Sequence, residues 1–140
     1  LKLLPILTHY DKDSGPYITS GLTSARDPEK RFVGRGLHRM EVRGKNRLGV
    51  SLLNPPLSDI YARYKKENKR MDVATVIGAD PLVLISSILK VPIGTDKLSL
   101  AGGLKGEPIP LIKARTVDID IPPAEITIEG YIDPSGKEED

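Results

Sequence analysis

The sequence predicts an α+β fold that is mainly β, a barrel or sandwich of about six strands with two or three inserted helices. Several segments alternate apolar and polar residues, which is typical of strands that bury one face. Other segments carry helix signals, namely an apolar stripe at helical spacing and an Asp-Pro start. The strands fall in neighbouring pairs that short turns can join, so antiparallel pairing is favoured.

The first half of the chain predicts a strand and then a hairpin. After an extended lead-in over residues 1–14, the segment 17–25 is rich in Thr, Ile and Tyr, which favours a strand. Segments 37–42 and 48–53 then alternate loosely, and the short loop between them contains Gly44. We therefore expect 37–42 and 48–53 to pair with each other.

Three helices are expected in the middle of the chain. The apolar face of the first recurs at i, i+3, i+4 and i+7 and consists of Leu57, Ile60, Tyr61 and Tyr64. The second begins with Asp80 as its N-cap and Pro81 as its first residue, and should run to about Lys90. The third is a short helix over residues 97–104, with Asp96 as its cap.

Three further strands complete the expected sheet. Residues 71–77 form an apolar run that predicts a buried strand, and 109–121 and 126–132 alternate as two long strands. The polar residues 133–140 are expected to form a loose tail. No repeat or second domain is visible, so residues 1–140 are interpreted as a single domain.

Composition narrows the class of protein. Lys and Arg number 21 against 19 acidic residues, and this small, evenly spread charge argues against nucleic-acid binding. No apolar run approaches the roughly 18 residues of a membrane span. Cysteine is absent, which excludes thiol chemistry and is consistent with a cytoplasmic protein. A start at Leu1 instead of methionine favours a trimmed fragment.

Chemical motifs are sparse when no family is considered. The histidines, His9 and His38, have no partners at metal-ligand spacing, and no Gly-x-Ser-x-Gly motif is present. Asp118 and Asp120 are interpreted as an exposed strand face. His38 and Arg39 stand side by side after glycine-rich chain. From these residues alone, a surface strand and an anion-binding site both remain open.

Segments along the whole chain resemble the UbiD family of carboxy-lyases, in the family's order. They include Leu37-His38-Arg39-Met40, Ile77-Gly78-Ala79-Asp80-Pro81 and Gly130-Tyr131-Ile132. The other matching segments lie at residues 4–10, 15–22, 25–28, 44–48, 100–106, 116–122 and 125–129. No single motif is decisive, but their ordered conjunction is specific.

The resemblance implies the middle domain of such an enzyme, a split β-barrel of the flavin-reductase, FMN-binding type. These enzymes bind prenylated FMN and add or remove CO2 on aromatic or α,β-unsaturated acids, and the flavin carries the covalent chemistry. Arg39 is implied to lie near flavin and substrate, where a guanidinium can pair with a carboxylate through parallel hydrogen bonds. The implied cofactor-binding residues are Leu37, His38, Arg39, Ser51, Leu52 and Lys97.

The family's metal ligands are replaced in this chain. The family holds a divalent metal through Asn, His and Glu, and these positions fall on Gly34, Pro55 and Lys97. Pro56 and Leu57 stand where a phosphate-binding Arg-Gly pair should follow. None of the three replacements offers a side-chain metal ligand, so we expect the metal site to be lost. One hypothesis is that Lys97 pairs with the flavin phosphate directly.

Two functions remain open on this resemblance. One is a carboxy-lyase domain that binds prenylated FMN or FMN. The alternative is a non-catalytic subunit or paralogue kept for assembly with a larger catalytic UbiD-type partner, or as a homo-oligomer. The chain ends shortly after Tyr131, before the stretch that carries the family's catalytic acids, so we expect it to be inactive alone. An unrelated split-barrel binding module is disfavoured by the ordered matches.

Overall fold

The computed structural model describes residues 1–29, 32–92 and 94–135. Within these ranges nine strands and three helices follow one another. Their order is β1 (Tyr17–Ile18), β2 (Leu22–Arg26), β3 (Val33–Leu37), β4 (Met40–Val42), β5 (Leu48–Val50), α1 (Leu57–Lys66), β6 (Met71–Ile77), α2 (Pro81–Ile88), α3 (Lys97–Lys105), β7 (Ile112–Lys113), β8 (Asp120–Ile121) and β9 (Ile126–Ile132).

The strands form three open antiparallel sheets. The largest has the order β3-β2-β6-β9, the second β1-β4-β5, and the third β7-β8. The mainly β architecture with three helices is therefore confirmed, although the strands are more numerous and shorter than expected. The described residues contain no closed barrel, so the split-barrel detail stays a prediction.

Both faces of the four-stranded sheet are covered. Even-numbered residues of β2 and β6, such as Leu22 and Val76, pack in the core cluster that includes α2 and α3. Odd-numbered residues, such as Ala25 and Met71, pack with α1 on the opposite face. Because strand side chains alternate between faces, a central strand with helices on both sides reads as a continuous apolar run. This is why β6 has no polar alternation.

The chain bends sharply between two sheets at 19–21 and again at 38–39. The expected strand 17–25 is divided into β1 and β2, which lie in different sheets. The expected strand 37–42 is divided in the same way, because β3 ends at Leu37 and β4 begins at Met40. The two bends face each other, since Leu22 pairs with Leu37 and Ile18 pairs with Met40. Strands lie on both sides of each bend, so the alternation of apolar and polar residues along the sequence did not reveal where the chain bends.

The long strand expected over 109–121 is wrong. Its ends form β7 and β8, which pair with each other, and the chain turns back between them. Glu129 on β9 accepts hydrogen bonds from the backbone N–H groups of Arg115 and Thr116, at 2.9 and 2.5 Å. Those amides therefore bind a carboxylate instead of a neighbouring strand. Asp118 consequently lies in the turn and pairs with Lys113 at 2.5 Å.

Several local predictions are confirmed. The hairpin of β4 and β5 forms, and β6 and β9 keep their expected bounds and pair along their whole length. Asp80 accepts from the N–H of Leu82, and Asp96 from that of Leu98, as N-caps do. The second helix ends at Ile88, slightly before its expected end. Residues 136–140 of the expected loose tail lie outside the described residues.

Within the described ranges, no helix combines the length and the apolar character that crossing a membrane requires.

Candidate functional site

Most of the expected cofactor residues lie around the bend between β3 and β4. Leu37 ends β3 and packs at the margin of the α2–α3 core. His38 and Arg39 form the bend itself, where the His38 N–H donates to the carbonyl of Gly21 at 3.4 Å. The opposing bend of the chain therefore holds this corner in place.

His38 is buried at this corner and is held by the next hairpin strand. Its Nδ1 lies 3.1 Å from the backbone oxygen of Ser51, and because a carbonyl can only accept, Nδ1 carries the proton. Burial lowers the pKa of His38, the hydrogen bond to Ser51 opposes this, and the nearby charge of Lys97 lowers it further. His38 is therefore a neutral imidazole near pH 7, with Nε2 available as an acceptor.

Arg39 lies exposed beside His38. In the part of the chain that the structure describes, its guanidinium makes no hydrogen bond or ion pair. Arg35 on β3 behaves differently, because it is buried and donates to the carbonyl of Asp120 at 2.7 Å and to Asp96 at 3.5 Å. Arg35 is thus a structural cation, whereas Arg39 is free to bind an anion.

Lys97 reaches the same region from the first residue of α3. Its Nζ donates to the carbonyl of Ser87 on α2 at 2.5 Å, and the side chain is half-buried. Desolvation lowers the pKa of Lys97. The charge of Lys97 lies near enough to His38 to lower the pKa of its ring, and that ring is hydrogen-bonded to the backbone of Ser51. Leu52 follows Ser51 but packs towards α1, in the opposite core cluster.

The positions expected to hold a metal do not fit one. A Cβ added to Gly34 would lie 2.5 Å from Ile60 Cδ1 and 3.1 Å from Pro56 Cγ, so apolar side chains fill the space where a ligand would project. Pro55 has no side-chain donor atom and Lys97 is cationic. Across the described residues, no group of three or more His, Cys, Asp or Glu could hold a metal ion.

Sequence analysis did not identify a set of buried polar residues on the four-stranded sheet and on helix α2. Arg35 and Ser24 are paired across β3 and β2 and are almost inaccessible, and Ser86 is buried on α2. Arg35 Nε and the hydroxyls of both serines have no hydrogen-bond partner among the described residues. The available signal was an arginine flanked by Gly34 and Gly36 within a strand. Burial lowers the pKa of Arg35, while the charge of Asp96 raises it.

The family model of the UbiD 3-octaprenyl-4-hydroxybenzoate carboxy-lyase Rift-related domain matches residues 1–140. The chain belongs to the UbiD family. Among curated relatives, this UbiD chain is 36% identical over 132 residues to anhydromevalonate phosphate decarboxylase of Methanothermobacter thermautotrophicus. That match covers 94% of the chain but 31% of the relative.

Solved UbiD-class enzymes have the same fold. The structure of HmfF from Pelotomaculum thermopropionicum in complex with FMN is 38% identical, with a TM-score of 0.93, and 96% of this UbiD chain covers 31% of it. An evolved dimeric form of HmfF in complex with prFMN gives the same identity, TM-score and coverage of this chain, over 32% of its own length. The UbiD chain thus spans about a third of the length of these relatives.

Proposed function

We propose that this chain is the flavin-binding domain of a UbiD-type carboxy-lyase acting on aromatic or α,β-unsaturated acids. The likeness to enzymes solved with FMN and prFMN supports this proposal, because it extends over 96% of the chain at 38% identity. When bound, the prenylated flavin supplies the covalent chemistry of CO2 loss or addition. In this proposal residues 1–140 act as one domain and are inactive alone.

The single observation that carries the site is the exposed guanidinium of Arg39, which lies beside buried His38 and for which the described residues provide no hydrogen-bond or ion-pair partner. A planar guanidinium binds a carboxylate through two parallel hydrogen bonds, which orients an acid whose carboxyl group is to leave. His38 offers an acceptor on Nε2, since Nδ1 donates to Ser51. We assign the flavin to the region of Leu37, His38, Arg39, Ser51 and Lys97, without a divalent metal; Leu52, the remaining expected cofactor residue, packs towards α1 instead.

Flavin binding by the purified chain tests this proposal. Titration with FMN should quench flavin fluorescence saturably and raise the melting temperature, because a ligand that binds only the native state stabilises it by mass action. At 100 times Kd the expected stabilisation is about 2.7 kcal/mol. If neither FMN nor prenylated FMN changes the fluorescence or the melting temperature, the proposed function is wrong.

A non-catalytic subunit is the second candidate, and the filled space beside Gly34 favours it. In that role the fold is kept for assembly while the site is altered. Size-exclusion chromatography with a full-length UbiD relative separates the two candidates. Co-elution of colourless protein supports the subunit, whereas a flavin-loaded monomer supports the first proposal. Homo-oligomerisation, a cytoplasmic location and the lack of nucleic-acid binding stay predictions.

A further inference from the structure

Lys97 is less exposed than any other lysine in the described ranges. Three others lie on the surface within ion-pair distance of carboxylates, and their pKa values are raised: Lys69 with Glu67, Lys105 with Asp80 and Glu107, and Lys113 with Asp118. Lys97 is more buried, yet no carboxylate pairs with it among the described residues. It therefore carries a desolvated charge without a counter-ion.

The hydrogen bonds of Lys97 are also incomplete. An ammonium has three N–H donors, and the Lys97 bond to the Ser87 carbonyl uses one of them. His38, the nearby titratable group, can be only neutral or positively charged, so it supplies no counter-charge to Lys97. Burying a charge without a partner is unfavourable, so an anion that accepts the remaining donors would stabilise this arrangement.

Apolar side chains occupy the space beside Gly34. This packing argues against the alternative in which a bound metal ion supplies the positive charge. A side chain at position 34 would collide with Ile60 and Pro56, and the described residues hold no cluster of metal ligands. The positive charges that the described residues of this site supply are those of Lys97 and Arg39, and of the two Lys97 is the less exposed.

We propose that the Lys97 ammonium binds a phosphomonoester dianion directly, so that the flavin nucleotide is held through its phosphate without a divalent metal. This inference rests on the proposed function, because FMN is the expected source of the phosphate. The inference goes beyond the proposed function because it predicts that Lys97 selects FMN over riboflavin, which has no phosphate.

The experiment compares FMN with riboflavin by fluorescence titration, in EDTA and then in excess MgCl2 or MnCl2. The wild-type chain should bind FMN about 10- to 100-fold more tightly than riboflavin, as expected for charge-assisted hydrogen bonds, with the same ratio in EDTA and in metal. Lys97→Met should bring the ratio close to one, whereas Lys97→Arg should keep most of it. Lys66→Met, on the exposed surface of α1, is the matched control and should keep the full ratio.

A ratio that appears only with added metal, or that persists in Lys97→Met, overturns the inference while leaving the proposed function standing. If neither flavin binds, the proposed function fails, and titration with inorganic phosphate decides the inference separately. Phosphate should then shift the amide NMR signals of Lys97 and Leu98, and these shifts should be absent in Lys97→Met. No shift in the wild-type chain overturns the inference as well.

Discussion

Gly34 shows how one residue without a side chain determines what the site can hold. It lies in β3 opposite Ala25, facing α1, and a Cβ added to it would lie 2.5 Å from Ile60 Cδ1 and 3.1 Å from Pro56 Cγ. Interiors are packed closely enough that one added methyl group is felt when its neighbours cannot move. A larger side chain at this position would therefore have to displace the apolar packing of Ile60 and Pro56.

Gly34→Ala should lower the free energy of unfolding by about 1–2 kcal/mol, because the new Cβ would overlap Ile60 Cδ1. Ile60→Val removes that methyl group, so the double variant should lose less stability than the sum of the two single variants. Urea unfolding of the three variants measures this coupling. Strict additivity would show that the Cβ is accommodated without contact to Ile60.

At the scale of elements, one carboxylate binds backbone N–H groups in the middle of the segment 109–121, which was expected to form a single strand. Glu129 lies on β9, which pairs along all of β6, so its position is held by the large sheet. Its two oxygens accept from Arg115 and Thr116, including the Thr116 hydroxyl. These hydrogen bonds lower the pKa of Glu129, with that of the Thr116 side chain first among them.

Glu129→Gln should lower the free energy of unfolding by about 1 kcal/mol at pH 7, since an amide nitrogen cannot accept these bonds and the site is partly solvated. Because the pKa of Glu129 is lower in the folded state than in the unfolded state, its contribution to stability is fully present above the unfolded pKa, near 4.3. The contribution is lost as the pH falls through the folded-state pKa. The wild-type and variant stabilities should therefore converge in acid. A difference that is independent of pH would contradict this role.

At the scale of the whole molecule, the bend at His38 joins the two larger sheets. β3 belongs to the sheet covered by the helices, and β4 belongs to the sheet that continues to β5. His38 connects them, because its N–H bonds to Gly21 and its ring bonds to Ser51 beyond β5. Burial of the ring and the positive charge of Lys97 both oppose its protonation and lower the pKa of His38.

The pKa of His38 is lowered on folding, so the unfolded chain binds more protons as pH falls below about 6.5. Stability should therefore decrease from pH 7.5 to pH 5, and His38→Gln should reduce this decrease. Urea midpoints at the two pH values measure the effect, with His9→Gln as the control for loss of an exposed histidine. An unchanged pH dependence in His38→Gln would show that its protonation is not linked to unfolding.

The sequence alone determined several local elements and the family. The helix caps at Asp80 and Asp96, the apolar stripe of α1 and the strands β6 and β9 depend on neighbouring residues, so pattern and propensity predict them. The family followed in the same way from ordered motifs. The assignment of Gly34, Pro55 and Lys97 to the family's metal-ligand positions stays a prediction.

The burial of individual residues and the contacts between residues far apart in the sequence followed only from the tertiary structure. The bends of the chain, the turn held by Glu129 and the burial of Arg35 depend on residues far apart in sequence, which alternation cannot reveal. The same holds for the contact of Lys97 with the Ser87 carbonyl and for the packing of Ile60 beside Gly34. The charge and the free space at a site depend on residues that are far apart in the sequence, and only folding brings those residues close to one another.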